Sequence, residues 1–223
     1  MVNILTKGAT TPAPQWTEEG FDMAQCEKPY DEIGASYLYD MNRLHRPGLE
    51  WAIAQIPDVK PKNILDIGYG GGIVSRLILR RFPNAKGYGI DYSDVSYEYS
   101  QQYNKYFIDE GRLKLILGDV HDMPYEDGRF DFIISNASYI FWKDLAETFK
   151  EVTRVLAKGG TICLPKGRKV TDENYEELRA KLTEPVNLYK DEEIISMLDA
   201  AGADVKVSYD ETGEYGVFLG TKR

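Results

Sequence analysis

A cluster of glycines follows the first strand-like run of the chain and has the composition of a cofactor-binding turn. Asn63–Ile67 is mainly apolar, Gly68, Gly70 and Gly72 follow it, and a helical period begins at Ile73. Glycines let the backbone approach a ligand closely, and the free N–H groups at the start of the next helix attract a negatively charged group. The pattern indicates a nucleotide-type cofactor site, and a purely structural tight turn is the alternative.

Carboxylates follow the next two strand-like runs. Asp91 ends the second run, where it can accept hydrogen bonds from both hydroxyls of a ribose. Asp119 follows the third run, where it can accept from an adenine amine while Val120 packs on the ring. With Asp66 in the first run, three acids lie at the ends of successive strands. We therefore expect them to meet at one edge of a sheet.

Strand-like and helix-like patterns alternate along most of the chain. The predicted strands are Asn63–Ile67, Gly87–Asp91, Leu113–Leu117, Phe130–Ser135 and Thr161–Leu164, followed by a hairpin of Val205–Tyr209 and Tyr215–Thr221. The predicted helices include Pro47–Ile56, Ile73–Arg80, a segment at 144–156 that Asp144 can cap and Gly159 and Gly160 close, and one at 192–201. This alternation predicts an α/β, Rossmann-like, doubly wound sheet of seven strands. The sheet is mostly parallel with an antiparallel C-terminal hairpin strand, and helices cover both faces.

The length of 223 residues suits one large domain. Residues 1–30 are rich in threonine, proline and polar residues, and we predict an N-terminal tail or flap there. Residues 31–223 form the single predicted domain, in which 31–60 make a helical lid and 61–223 the Rossmann-like core.

Composition excludes several classes of partner. A net charge of −9 disfavours a nucleic acid, whose phosphates need basic groups. Cys26 and Cys163 are too few for a disulfide framework or a cysteine zinc site, so no metal is expected. The chain has no basic, apolar leader and no run of about 18 apolar residues, which predicts a cytoplasmic protein without a membrane partner. Monomer and homodimer are not distinguished.

Four motifs resemble those of the class I S-adenosylmethionine-dependent methyltransferases. They are ILDIGYGGG, GYGID, GDVHDMPYEDGRFDFIIS and RVLAKGGTICL, within a stretch from about Asn63 to Thr221. The segments MNRLHRPGLEWAIAQI and SYIFWKDL are similar to a subgroup of small stand-alone methyltransferase domains. The resemblance implies S-adenosylmethionine as cofactor and S-adenosylhomocysteine as product.

The resemblance also implies roles for individual residues. Asp66 and the glycine backbone would hold the methionine end, Asp91 the ribose, and Asp119 with Val120 the adenine. Asn136 would face the reactive methyl group. The expected cofactor site also includes Tyr92, next to Asp91, and Tyr69, which replaces the small residue or cysteine usual between the first two glycines.

The acceptor site is predicted from residues outside the cofactor motifs. His45 and Tyr139 are the catalytic candidates, since a neutral imidazole near the methyl group could accept a proton. Tyr37, Tyr39 and Trp142 are the candidates for substrate contact. The Pro-Pro-aromatic motif that related enzymes use on nucleobase or glutamine amides is missing after Ser135, so these acceptors are not expected.

The predicted function is methyl transfer from S-adenosylmethionine to a small-molecule acceptor by in-line displacement. A non-catalytic S-adenosylmethionine-binding protein is the first alternative. An NAD-dependent oxidoreductase is the second, although the third glycine of the dinucleotide pattern would fall at Ile73.

Overall fold

The computed structural model describes residues 34–181 and 187–223. The described chain folds around a seven-stranded sheet with strand order β3-β2-β1-β4-β5-β7-β6. The strands are β1 Asn63–Ile67, β2 Lys86–Asp91, β3 Leu113–Leu117, β4 Phe130–Ile134, β5 Leu156–Lys166, β6 Ala203–Tyr209 and β7 Gly216–Lys222. The helices are α1 Gly34–Ala54, α2 Ile73–Arg81, α3 Asp94–Tyr103, α4 Lys105–Asp109, α5 Leu145–Val155, α6 Tyr175–Ala180 and α7 Asp191–Ala200, with a short 3₁₀ turn at Tyr139–Phe141.

The direction of the strands brings the predicted site residues to one edge. Strands β1 to β5 pair in parallel, whereas β7 runs antiparallel to both β5 and β6. The strand order reverses between β1 and β4, and a ligand crevice forms at such a switch point, outside the carboxyl ends of the strands.

Apolar side chains bury both faces of the sheet. One core cluster contains residues of α1, α2, α3 and α4, and the other contains residues of α5 and α7. Helices therefore cover both faces, which confirms the predicted Rossmann-like, doubly wound α/β fold with its antiparallel C-terminal strand.

The helix before the sheet is longer than the predicted Pro47–Ile56. It begins at Gly34 and contains Pro47 in its interior, where the ring removes one backbone hydrogen bond. Leu38, Asn42 and Leu49 lie buried along the helix and fix it by packing, which outweighs the proline. Within the predicted 31–60 lid, this helix packs on α2 and α3 and also contacts β5 and β7. The predicted tail at 1–30 lies outside the described residues.

The passage from α5 to β5 also differs from the prediction. The helix ends at Val155 and β5 begins at once, so the predicted Gly159–Gly160 stop lies within the strand. The pairing shifts between Phe130 and Phe132 of β4, and Gly159 takes a positive φ of 74° in this irregular stretch. At the start of α5, Asp144 makes no capping hydrogen bond.

Within residues 34–181 and 187–223, no helix is long and apolar enough to cross a membrane. No group of three potential metal ligands from His, Cys, Asp and Glu lies together in this part of the chain.

Candidate active site

The glycine loop after β1 leaves one position open to a ligand. Gly70 has a positive φ of 47°, and a Cβ built on it would meet no atom within 4 Å. A Cβ at Gly68 would collide with Ser138, and one at Gly72 with Asn104. The flanking glycines therefore permit close packing, whereas Gly70 borders free space in which a ligand can approach the backbone.

Three side chains hold the carbonyl groups of this loop. Asn42 Nδ2 of α1 donates to Gly71 O at 2.8 Å, and Ser100 Oγ of α3 donates to Gly70 O at 2.6 Å. Asn104 Nδ2 donates to Gly72 O at 3.1 Å. The loop is thereby fixed from two sides before any ligand binds.

Asp91 occupies the predicted ribose position at the end of β2. Its Oδ2 accepts from the Gly70 N–H at 2.8 Å, and its Oδ1 accepts from the Ser93 N–H at 3.0 Å. Burial raises the pKa of this carboxyl, although the backbone hydrogen bonds act in the opposite direction. Each carboxylate oxygen keeps a lone pair. The geometry fits a pair of ribose hydroxyls.

Asp66 lies beneath the loop with half of its carboxylate unpaired. The residue is 2% exposed, Ser75 Oγ donates to its Oδ2 at 2.6 Å, and its buried Oδ1 has no hydrogen-bond partner. Burial raises its pKa to about 7. An orphaned acceptor of this kind is costly unless a donor reaches it. The ammonium group of a methionine moiety is a donor of the right charge.

Tyr69 points away from the loop opening and into the core. Its ring packs where a Cβ on Gly89 of β2 would stand, and its hydroxyl donates to Ile116 O at 3.3 Å. The ring is almost fully buried in the cluster beneath α1 to α4. Its bulk is accommodated there and does not narrow the cofactor space.

The predicted adenine residues follow β3, at the carboxyl edge of the sheet. Asp119 is exposed after β3, where it accepts from the His121 N–H at 2.9 Å and contacts His121 Nδ1. These hydrogen bonds lower the pKa of Asp119. Val120 packs on the second core cluster, and Tyr92 is 84% exposed next to Asp91. Val120 and Tyr92 are available to a flat ring at this edge.

On the other side of the switch point, α1 lies against the segment that follows β4. Ser135 Oγ donates to Ile67 O at 2.8 Å and holds the ends of β4 and β1 together. The next residue, Asn136, contacts His45 with 3.2 Å between Nδ2 and Nδ1. Burial lowers the pKa of His45 and favours its neutral form. Two predicted residues, 91 positions apart, thus meet.

The aromatic candidates take different positions. Tyr37 is partly exposed on α1, whereas Tyr39 is buried in the first core cluster. Trp142 is buried against Phe149, and its Nε1 donates to Ser138 Oγ at 3.0 Å. Tyr139 is buried in the second cluster, and its pKa is raised by burial and by the nearby Asp191 carboxylate. The positions of Tyr39 and Trp142 support packing roles.

One buried polar cluster at the same edge of the sheet is absent from the sequence predictions. Lys166 Nζ, at the end of β5, lies 2.6 Å from Asp191 Oδ1 and 2.7 Å from the hydroxyl of Tyr209. The Tyr209 hydroxyl also donates to Asp191. The Lys166 and Asp191 side chains are only 7% and 6% exposed. Asp191 could be recognised as a helix start, but no sequence signal pairs it with Lys166.

Known proteins resemble this chain in sequence and in fold. Residues 65–164 match the family described as "Methyltransferase domain". The demethylmenaquinone methyltransferase of Thermotoga maritima is 30% identical over 143 residues, which cover 60% of this chain and 58% of that protein. The chain thus spans less than two thirds of this relative.

Solved structures agree on the fold. The Haloferax volcanii protein in complex with the Trm112 methyltransferase activator superposes with a TM-score of 0.74 at 19% identity, covering 84% of this chain and 93% of that one. A geranyl diphosphate methyltransferase in complex with S-adenosylmethionine gives 0.68 at 17% identity, covering 91% and 96%. Together with the matched motifs, the family match and the relatives confirm the prediction that residues 65–164 lie in a methyltransferase domain of the S-adenosylmethionine-dependent class I type.

Proposed function

We propose that the protein transfers a methyl group from S-adenosylmethionine to a small-molecule acceptor, in the space between the glycine loop and the His45–Asn136 contact. The observation that carries this proposal is the position of α1. Asn42 and His45, one turn apart on this helix, contact the glycine loop and the end of β4 respectively. Helix α1 therefore borders both the proposed cofactor position and the proposed acceptor position beside it.

The residues described above have distinct tasks in this proposal. When bound, the cofactor supplies a methyl group activated by a sulfonium. Asp66 pairs with its ammonium group, Asp91 accepts from its ribose hydroxyls, and Asp119 with Val120 and Tyr92 contacts its adenine. Asn136 faces the methyl group.

Little further chemistry is required of the protein, because the leaving group is already activated. Correct alignment of two reactants accounts for roughly 7–11 kcal/mol of a barrier, and exclusion of water prevents side reactions. The part of α1 around His45 is suited to both tasks, because Asn42 and His45 contact the loop after β1 and the segment after β4.

The surroundings favour an acceptor with an apolar body. Leu44, next to His45, is 58% exposed, and Phe141, in the turn after Asn136, is 55% exposed. The chain is acidic, which disfavours nucleic acid. The Thermotoga relative is named for demethylmenaquinone, and by analogy we place this chain among enzymes of small molecules. Its cytoplasmic location remains a prediction.

The test is isotope transfer. Purified protein is incubated with S-adenosylmethionine carrying a deuterated methyl group and a small-metabolite extract, and mass spectrometry measures labelled products and S-adenosylhomocysteine. We expect both with the wild type. The control is Asp91→Ala, in which loss of a buried hydrogen-bonding group weakens cofactor binding by about 1–3 kcal/mol. Cofactor binding by calorimetry without turnover on any extract would instead support the non-catalytic alternative.

A further inference from the structure

The His45–Asn136 contact fixes the position of the imidazole proton. The Nδ2 atom of Asn136 can only donate a hydrogen bond, so Nδ1 of His45 must accept it. In a neutral imidazole the proton then resides on Nε2. Within residues 34–181 and 187–223, Nε2 of His45 has no hydrogen-bond partner. The ring therefore presents an N–H donor, and its lone pair is already engaged.

Among the residues that the structure describes, those named at this site offer no free proton acceptor. His45 is the titratable group in contact with Asn136, and its basic nitrogen is occupied. Asp91 accepts from two backbone N–H groups, and Asp66 lies beneath the loop, where it has the ammonium group to pair with. An acceptor that must lose a proton during attack finds no suitable base among these described residues.

We infer that His45 donates its Nε2–H to an oxygen of the acceptor, and that the acceptor is a carboxylate. This inference rests on the proposed function. A carboxylate is ionised at neutral pH and needs no base, and it carries two oxygens. One oxygen accepts from His45 while the other attacks the methyl carbon.

The step is balanced without a proton transfer. A lone pair of the carboxylate oxygen forms the new O–CH₃ bond as the S–CH₃ bond breaks, and the electrons of the broken bond go to sulfur. The sulfonium cation and the carboxylate anion are thereby converted into a neutral thioether and a methyl ester. The donor on His45 positions an anion next to a cation, which attracts it electrostatically.

The first experiment compares acceptors that share a skeleton. Wild-type protein with labelled S-adenosylmethionine is offered benzoate, benzyl alcohol and benzylamine, and separately octanoate, octanol and octylamine, and is also incubated with the metabolite extract. We expect labelled methyl esters of carboxylates. Turnover confined to alcohols, phenols, amines or carbon atoms would overturn the inference and leave the proposed function intact. Binding without turnover on any compound would remove both.

The second experiment separates donor from base with two variants of equal polarity. Glutamine places an amide N–H near the Nε2 position, whereas asparagine reaches only the Nδ1 position. We expect His45→Gln to stay within about tenfold of wild type in kcat/KM, and His45→Asn to lose roughly 10- to 100-fold, with cofactor affinity unchanged in both. Equal losses in the two folded variants would indicate a base, and no loss in either would remove His45 from substrate contact. Both results contradict the inference.

Discussion

The two halves of the carboxyl edge of the sheet, at β1–β2 and at β5–β6, differ in which chemical groups form them. At β1 and β2, the backbone of the glycine loop lies beside the carboxylates of Asp66 and Asp91. The side chains of Asn42, Ser100 and Asn104 hold the loop carbonyls. At β5 and β6, side chains form the corresponding layer, where Lys166 pairs with a buried carboxylate.

The difference teaches how one sheet can carry a glycine loop at one half of its edge and a buried ion pair at the other. A loop made of backbone tolerates changes in side chains that do not contact it, as long as glycine remains where a Cβ would collide. A layer made of paired side chains can be altered by a single substitution, and each change affects the stability of that edge. Three predictions test this contrast, from the largest expected effect to the smallest.

The largest effect is expected from breaking the buried ion pair at β5. Lys166→Met leaves Asp191 without its cation, and losing one partner of such a pair costs about 3–5 kcal/mol. The double variant Lys166→Met/Asp191→Leu should recover part of that loss, because no charge is left buried. Urea unfolding at pH 7 measures both. The matched control is Lys150→Met, which removes an exposed ion pair with Glu147 and should change stability by less than about 1 kcal/mol. A similar small change in Lys166→Met would show that the two halves do not differ in this way.

The second effect concerns the pH dependence of the cofactor-free protein. The pKa of Asp66 in the fold is about 7, above its ordinary value of 3.8, so the folded chain holds this proton more tightly than the unfolded chain. The contribution of Asp66 to stability is therefore greatest below about pH 4 and is lost as the pH rises through about 7.

Asp66→Asn cannot ionise, so it should lose less stability than the wild type between pH 5 and 8. Over this range the difference is at most about 3 kcal/mol, because it accumulates mainly between pH 5 and the folded pKa of about 7. Urea unfolding across this range measures it, and Asp109→Asn, at an exposed ion pair with Lys105, is the control. If the stabilities of the wild type and Asp66→Asn changed equally with pH, the fold would not raise the pKa of Asp66.

The smallest effect distinguishes two glycines of the loop. Alanine at either Gly70 or Gly72 must adopt a positive φ, which costs about 1–2 kcal/mol. At Gly72 the new Cβ also collides with Asn104 and Ser100, and we expect a further loss of about 1–3 kcal/mol. Gly70→Ala should instead weaken S-adenosylmethionine binding more than stability. Calorimetry and urea unfolding on both variants check this, and identical profiles would contradict the assignment of free space to Gly70.

The part of the site at β1 and β2 can be predicted from the sequence more completely than the contacts at β4 and β5. Glycines and acids after strands are local signals, and parallel strands bring them together whatever the rest of the chain does. The contact of His45 with Asn136 spans 91 positions, and that of Lys166 with Asp191 spans 25, so neither leaves a local pattern.

For the aromatic candidates, the sequence does not distinguish a core position from a position in a pocket. Residue type alone favours Tyr39 and Trp142 as substrate contacts, yet both are buried in the cores. An aromatic residue that packs in a core and one that lines a pocket look alike in a sequence, because both follow the same periodicity. The strand bounds, in contrast, follow from apolar runs and agree closely with the fold at β1 and β3.

The packing of Tyr69 on Gly89 constrains the order in which this chain can change. A Cβ at position 89 would stand 2.8 Å from Cδ1 of the Tyr69 ring and would also meet Leu115. The leucine side chain can rotate, but the buried ring cannot move aside without disturbing the core. A lineage can therefore acquire a side chain at position 89 only after position 69 has become small. If position 89 changed first, the intermediate protein would pack poorly. The two positions are therefore expected to vary together, with position 69 changing before position 89.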